Sequence, residues 1–363
     1  MDALSLSEGS YPAFYTLVAT LASLTADCKA GLAPGPTAAA QAARLLADAS
    51  LPDDDKVAYL LALGEVGETA EVVAAFADTY RSMARRIELE DFPARAIDLV
   101  GTGGDRSGSF NLSSASALVV ASVGVPVMKH GNRSITSKSG SADFLAALGV
   151  DLEASDDRLL RALRLANFCF FFAPAFHPAF RAVGAARKRL AELGKKSVFN
   201  VLGPLINPGR PAHMLVGVYD PRWLVPVAGA LESLGVKRGL VVHGQVGEGM
   251  DELTSAGPTQ VYGVGELAKV RATWLPGDYG LTTSPASDLQ GGLPGHNLAL
   301  WGDILVGGAP EGLIDSIAYG AGTALWVAGV VPDPLAGIAR AREALADGSV
   351  RRNLVALRDA YRV

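Results

Sequence analysis

The chain has 363 residues, 49% of them hydrophobic and 19% charged, with a formal net charge of −5. That length points to two domains, or to one large domain with a smaller partner, and the composition excludes a disordered chain. The acidic balance excludes a surface built as a whole for nucleic acid, so any anion site has to be local. Cys28 and Cys169, the two cysteines, have neither metal-ligand spacing nor a disulfide framework, and are expected to be reduced thiols in a cytoplasmic protein. The start, MDALSLSEGSYPAF, lacks a basic region leading into an apolar core, so no secretory signal is expected there. No apolar run reaches the roughly 18 residues that a membrane span needs.

The first ninety or so residues read as helices. Pro36–Ala49 is rich in alanine, and Asp53–Asp55 can start a helix over Val57–Leu63. Thr69–Arg86 places Val72, Val73, Phe76, Tyr80 and Met83 on one face, with Thr69 as N-cap and Glu71 in the first turn. This is the pattern of a helical bundle without chemistry of its own, whose surplus apolar surface suits a dimer. The pattern changes near Phe92–Pro93. Strands are expected at Ala96–Val100, Val125–Met128, Phe168–Phe172, Met214–Tyr219 and Gly239–His243. Helices are expected between them at Ser113–Gly124, Asp143–Leu148, Asp156–Asn167 and Trp223–Leu234. Such alternation implies an α/β domain with a largely parallel sheet, whose ligands gather at the carboxyl ends of the strands.

Three segments carry chemistry. Gly101-Thr102-Gly103-Gly104-Asp105 follows the first strand directly and lets backbone N–H groups approach an anion, and the segment Ser107–Ser114 leads on into a helix N-terminus that suits phosphate oxygens. Lys129–Ser141 holds three fixed cations and five hydroxyl side chains, and no Asp or Glu occurs between Asp105 and Asp143. Met250-Asp251-Glu252 puts two adjacent carboxylates in a loop, where both can reach a hydrated cation such as magnesium. Alone, a glycine turn or an acidic pair is commonly structural; the three together describe a polyanion site with its metal.

DLVGTGGD, NLSSAS, KHGNRSITSKSGSAD, FAPAFHPAFR, FNVLGPLINP and GMDE occur in this order, and together they resemble the anthranilate phosphoribosyltransferase family. The resemblance runs from about residue 55 onward and is dense between residues 96 and 220. It implies a small helical domain (residues 1–95, with a returning segment near 175–200) and a larger α/β domain (96–174 and 201–363), with the active site in the cleft between them. It further implies a homodimer joined through the helical domains. In the implied reaction, the phosphoribosyl group of phosphoribosyl pyrophosphate (PRPP) passes to the amine of anthranilate with Mg2+, two ions per subunit, in tryptophan biosynthesis.

Carried over residue by residue, Gly101, Gly104, Asp105, Ser109, Asn111, Leu112, Ser113 and Ser114 match the diphosphate loop. Lys129, His130, Gly131, Asn132, Arg133, Ser134, Ile135, Thr136, Ser137 and Ser141 match the other PRPP contacts. Gly101, Asn132 and Arg187 match the anthranilate contacts, and Ser113, Asp251 and Glu252 the metal ligands. No covalent nucleophile is implied, and neither a nucleic acid nor a membrane partner is expected. Related alternatives are a pyrimidine nucleoside phosphorylase of the same fold and a non-catalytic nucleic-acid-binding relative; the Lys129–Ser141 and Asp251-Glu252 segments and the acidic charge speak against them.

The sequence departs from the family pattern in two notable places. The stretch from Arg187 to Phe199-Asn200 is about three residues longer, close to one helical turn, which is expected to fall near Leu190–Gly194 and leave Arg187 facing the cleft. Gly320 stands where the family often has an amide, a difference expected to concern packing.

Overall fold

The structure is a computed structural model and describes residues 19–133 and 138–362. Its first helices are α1 (Leu21–Lys29), α2 (Pro36–Leu46), α3 (Asp53–Val66) and α4 (Ala70–Ser82), followed by the single turn α5 (Phe92–Arg95). Local chemistry sets their starts. Thr20 and Ser23 form a reciprocal cap on α1, and Pro36 opens α2. Three aspartates occupy the first turn of α3, where the helix dipole favours negative charge. Thr69 accepts from the Val72 N–H at the start of α4. Val72, Val73, Phe76 and Tyr80 are buried as their spacing implies. The helix ends at Ser82, short of Arg86, so Met83 is its C-cap rather than part of the face.

From residue 97 onward strands and helices alternate: β1 (Ile97–Gly101), α6 (Leu112–Ser122), β2 (Val127–Gly131), α7 (Ser141–Ala147), α8 (Asp156–Ala166) and β3 (Phe168–Phe172). The chain then leaves the sheet through α9 (Ala173–Phe176), α10 (Gly184–Glu192) and α11 (Leu202–Leu205). It returns as β4 (His213–Gly217), α12 (Leu224–Ser233) and β5 (Arg238–Gly244). Two strands follow that the sequence reading did not include, β6 (Thr259–Gly265) and β7 (Arg271–Trp274), and then α13 (Pro294–Val306), α14 (Glu311–Val327), α15 (Pro334–Ala346) and α16 (Ser349–Tyr361). The sheet order is β3-β2-β1-β4-β5-β6-β7, parallel from β3 to β5 and antiparallel beyond.

Both faces of the sheet are covered, so its central strands are apolar on both sides. Leu99, Leu215, Leu240 and Val242 point into a core formed with α6, α8 and the four C-terminal helices. Val100, Met214, Val216 and Val241 point the other way, into a core shared with α12 and the helices α1 to α4. Residues Val183–Ile206 contribute to that second core. Lys56 on α3, only 1% exposed, ties the segment down by donating to the carbonyls of Asp48 (2.7 Å) and Ala182 (2.6 Å). The molecule is therefore a helical domain joined to an α/β domain. Among the described residues no helix is long and apolar enough to cross a membrane.

On the C-terminal side, α14 and α15 cross where Gly322 meets the backbone of Gly337 and Ile338, and a Cβ on either glycine would overlap the partner helix. Gly322→Val is expected to force the helices apart and cost about 1–3 kcal/mol of stability, read as a lower urea midpoint with an unchanged slope. An unchanged midpoint would show that this crossing does not limit the packing.

Candidate active site

Four parallel strands end in glycine, and the structure gives each a steric reason. A Cβ on Gly101 would strike the Asp251 carboxylate, one on Gly217 the Asp251 backbone, and one on Gly131 the Ser141 hydroxyl. At Gly244 it would come within 2.7 Å of the Glu252 carbonyl oxygen. Gly101, Gly217 and Gly244 lower the carboxyl rim of the sheet so that Met250–Glu252 can lie across it. Paired backbone bonds between Gly244 and Met250 (2.8 and 2.9 Å) pin that segment. The Gly101 position thus admits a carboxylate of the protein itself, as well as leaving the loop beyond it free to approach an anion.

The loop after β1 turns through positive φ at Gly103 (69°), Gly104 (80°) and Gly108 (68°), conformations that glycine adopts without a steric penalty. Gly103 N–H donates to Asp251 Oδ2 at 2.6 Å, and Asp105 Oδ1 accepts from Ser107 N–H at 3.2 Å. Ser107 in turn donates to the Ser109 hydroxyl (3.0 Å). The segment before α13 braces the loop from outside: Phe110 N–H donates to the Leu289 carbonyl and Gly291 N–H to the Gly108 carbonyl. Asn111 is held by Asn297, whose Nδ2 donates to Asn111 Oδ1 at 2.9 Å while its own Oδ1 accepts from Gly292 N–H at 2.7 Å. Asn111 also donates to the Ser139 carbonyl at 3.1 Å, joining the glycine loop to the basic segment. At the start of α6 the side chains of Leu112 and Ser114 are buried. The Ser113 N–H donates to Glu252 Oε1 at 3.2 Å, as the N-terminus of a helix favours.

Lys129, 1% exposed, lies beneath this rim and donates to the Leu99 carbonyl (2.5 Å) and the Ser113 hydroxyl (3.3 Å). Burial lowers its ammonium pKa, while Asp98, Glu252 and Asp251 act in the opposite direction. Burial raises the Asp251 carboxyl well above the usual carboxylate range, and the neighbouring Asp105 and Glu252 charges push the same way. Glu252 is pushed up to about 7, again chiefly by burial. Among the described residues no donor reaches Asp105 Oδ2, which is buried. Behind the rim a cavity of about 20 Å³, lined by Ser113, Ser116, Asp251, Glu252 and Gly320 among others, has room for about one water. A Cβ on Gly320 would lie 2.8 Å from the Ser116 hydroxyl, so the glycine there does answer a packing requirement.

The residues fit a hard divalent cation. Among the described residues no three His, Cys, Asp or Glu side chains form a ready-made metal cage. Two carboxylates and a hydroxyl converge instead, the small oxygen set that magnesium completes with water and substrate phosphates.

Beyond β2, Asn132 and Arg133 are exposed. Asn132 Oδ1 accepts from Arg133 N–H, and its carbonyl accepts from Ala142 N–H (3.2 Å) and the Ser141 hydroxyl (3.3 Å). Arg133 pairs with Asp143 at 2.8 Å. Ser134, Ile135, Thr136 and Ser137 lie outside the described residues. His130 turns inward. Its Nδ1 is 3.0 Å from the Gly203 carbonyl, its ring packs 5.0 Å from that of His177, and burial lowers its pKa to about 3.

From His177 a run of rings continues through Phe180 to Phe199. Arg187 on α10 lies over Phe180 and Phe199, 5.8 and 5.7 Å from their centroids, and burial lowers its pKa. Arg189 instead points outward and pairs with Asp54, and Lys188 is exposed. α10 ends at Glu192 with Leu193 as its C-cap, and the chain then turns through Gly194, where Lys195 N–H donates to the Leu190 carbonyl.

Three contributors were missed in the sequence. Lys196 lies over the Tyr219 ring (3.3 Å) and donates to the Gly104 carbonyl (3.3 Å) from within the lengthened segment, where no motif marked it. Asn297 belongs to no motif. Asp98 had a signal, a charge inside an apolar strand: it is fully buried, accepts from Asn207 Nδ2 (2.8 Å) and His130 N–H (3.3 Å), and is pushed up to about 6 by burial.

An α/β domain with an acidic and glycine-lined rim of this kind is that of a glycosyl-transferring enzyme, and residues 93–351 match the family model described as the glycosyl transferase family, a/b domain. Anthranilate phosphoribosyltransferase of Thermus thermophilus is 46% identical over 289 residues, 80% of this chain and 84% of that protein. A crystal structure of anthranilate phosphoribosyltransferase from the same organism matches with a TM-score of 0.84 at 41% identity, covering 94% of this chain and 99% of that one. The Saccharomyces cerevisiae enzyme in complex with PRPP and Mg matches at 0.78 and 25% identity, covering 94% and 93%. The chain belongs to the anthranilate phosphoribosyltransferase family.

Asn297, 1% exposed, gives the brace a direct test. Asn297→Ala leaves the Gly292 N–H without its acceptor and is expected to cost about 1–3 kcal/mol in chemical denaturation. Gln290→Ala, which removes an exposed contact to the same loop, is expected to change stability little. Equal effects of the two variants would exclude Asn297 as the brace.

Proposed function

We propose that the chain transfers the phosphoribosyl group of PRPP to the amine of anthranilate, releasing pyrophosphate, as a step of L-tryptophan biosynthesis in the cytoplasm. The observation that carries this reading is the convergence of Ser113, Lys129, Asp251 and Glu252 beside the glycine loop and the α6 N-terminus. The loop Gly101–Asp105 and the α6 N-terminus at Asn111–Ser114 hold the diphosphate, with Ser109 and Lys129 contributing side chains. His130, Gly131, Asn132, Arg133, Ser141 and residues 134–137 hold the rest of PRPP. Ser113, Asp251 and Glu252 hold magnesium, with two ions per subunit, and the cation neutralises charge on the departing pyrophosphate.

Arg187 holds the anthranilate carboxylate, which its guanidinium fork matches bidentately. Gly101 and Asn132 complete the acceptor site. The aromatic amine of anthranilate carries a free lone pair at neutral pH, so the chain needs no strong general base. What it supplies is alignment of the amine with the anomeric carbon and stabilisation of charge as the bond to pyrophosphate breaks, through a transition state of oxocarbenium character.

We place the helical domain at residues 1–95 with a return near 175–200, and read it as the contact of a homodimer; Leu32 and Leu193, each 61% exposed, are apolar surface available there. The two buried, unpaired thiols suit a reducing compartment.

Loss of anthranilate fluorescence on adding PRPP and magnesium tests the activity. Asp251→Asn with Glu252→Gln is expected to lower the rate by orders of magnitude. Because both carboxylates are buried against like charge, the double variant is expected to melt no lower than wild type without metal. Full activity at limiting magnesium would overturn the metal assignment.

Arg187→Ala is expected to raise the anthranilate KM about 10- to 100-fold, the equivalent of about 1.5–3 kcal/mol, with little change in the PRPP KM. Arg189→Ala is expected to change neither. The reverse pattern would place the acceptor site on the other side of α10.

A further inference from the structure

A second cavity, of about 300 Å³, lies at the opposite edge of the sheet from the active site. Its walls come from the residues that precede β1, β4 and β5 and from the last turn of α4, where the chain passes between the helical and α/β parts. Leu205, Met214 and Leu231 make it apolar on one side; Arg81, Arg210 and Lys237 supply three cations. Among the described residues that line it there is no Asp or Glu.

Arg81 is the anchor. Its side chain is 13% exposed, and its Nε is buried with no hydrogen-bond partner among the described residues. One Nη2 contact, 3.3 Å to the largely exposed Asp78, is its ion pair. Burial lowers the Arg81 pKa, and the neighbouring Arg210 charge lowers it further, so two guanidinium groups share the cavity in mutual repulsion. Asn207 fixes the loop that carries Arg210: its Oδ1 accepts from Gly209 N–H (2.8 Å) and its carbonyl from Arg210 N–H (3.2 Å). Three clustered cations with no acid among them, set against an apolar wall, select a ligand that carries a compact dianion on an apolar body.

We propose that this cavity is a binding site for a phosphate monoester with an apolar body, distinct from the active site and independent of the transfer reaction. The test is isothermal titration calorimetry of the full chain with phenyl phosphate, in the presence of saturating magnesium and pyrophosphate to occupy the diphosphate loop. Saturable binding is expected, weakened at least tenfold in Arg210→Glu and in Arg81→Ala and unchanged in Arg187→Ala. Arg210 is exposed, so its variant is expected to fold even if Arg81→Ala does not. Inorganic phosphate and benzyl alcohol, each carrying half of the ligand chemistry, are expected to bind at least tenfold more weakly. Absence of saturable binding, or binding that is lost in Arg187→Ala and kept in Arg210→Glu, would refute the site. Inorganic phosphate binding as well as phenyl phosphate would refute the apolar body, and benzoate binding as well as phenyl phosphate would refute the dianion.

Discussion

Everything at the active edge of the sheet is arranged around a lysine that has been taken out of water. An ammonium buried without partners is among the most costly groups a fold can contain, and removing one partner of a buried pair costs several kcal/mol. Lys129 has Asp98 on the next strand as its principal opposite charge, with Glu252 and Asp251 contributing from the rim. The parallel pairing of β1 with β2 makes that possible, because it brings two strands from either side of α6 into contact. The terminal glycines Gly101, Gly217 and Gly244 then allow the acidic segment to come down onto the rim. A Cβ at any of these three positions would overlap the segment whose carboxylates answer the lysine.

The same arrangement explains why the carboxylates are left with excess negative charge. Asp105, Asp251 and Glu252 lie close enough for their charges to raise the pKa of the two rim carboxylates, and a single ammonium, shared with Asp98, does not offset three acids. A fold optimised only for stability would replace such a cluster with apolar residues. Its persistence beside a glycine loop and a helix N-terminus is the physical signature of a site whose electrostatics are completed by ligands.

Much of this was legible in the sequence because the relevant residues are contiguous. The glycine loop follows β1 without a gap, the basic segment follows β2, and the strand positions read from apolar runs agree with the structure to within a few residues. What escaped is what contiguity cannot signal. Strand β7 has three of its four residues exposed and carries no apolar run, so the antiparallel edge of the sheet was not seen. Asn297 acts on Asn111 from 186 positions away in the chain. Lys196 sits in a segment whose length departs from the family pattern, and only the geometry of α10 brings it to Gly104. Asp98 could have been read, since an acid inside a buried strand requires a partner; the sequence does not name that partner, because Lys129 becomes its neighbour only when the sheet forms.

Arg187 poses the complementary problem on the helical side. It is partly buried on two aromatic rings, and among the described residues no carboxylate pairs with it. Cation–π contacts offset desolvation by about 0.5–2 kcal/mol, but they act on the face of the guanidinium and leave its in-plane N–H donors unused. A lysine in the same place would present a compact, strongly hydrated charge, harder to strip of water and unable to bind a carboxylate in two places at once. The outward neighbour Arg189 shows the contrast within one helix: exposed, it pairs with Asp54 and contributes surface charge. Which of the two faces inward is decided by the helical repeat and by Val183, Ala186 and Leu190, which are buried in the core shared with α1 to α4. α10 ends two residues after Leu190, at Glu192, so the chain that follows leaves that phase intact.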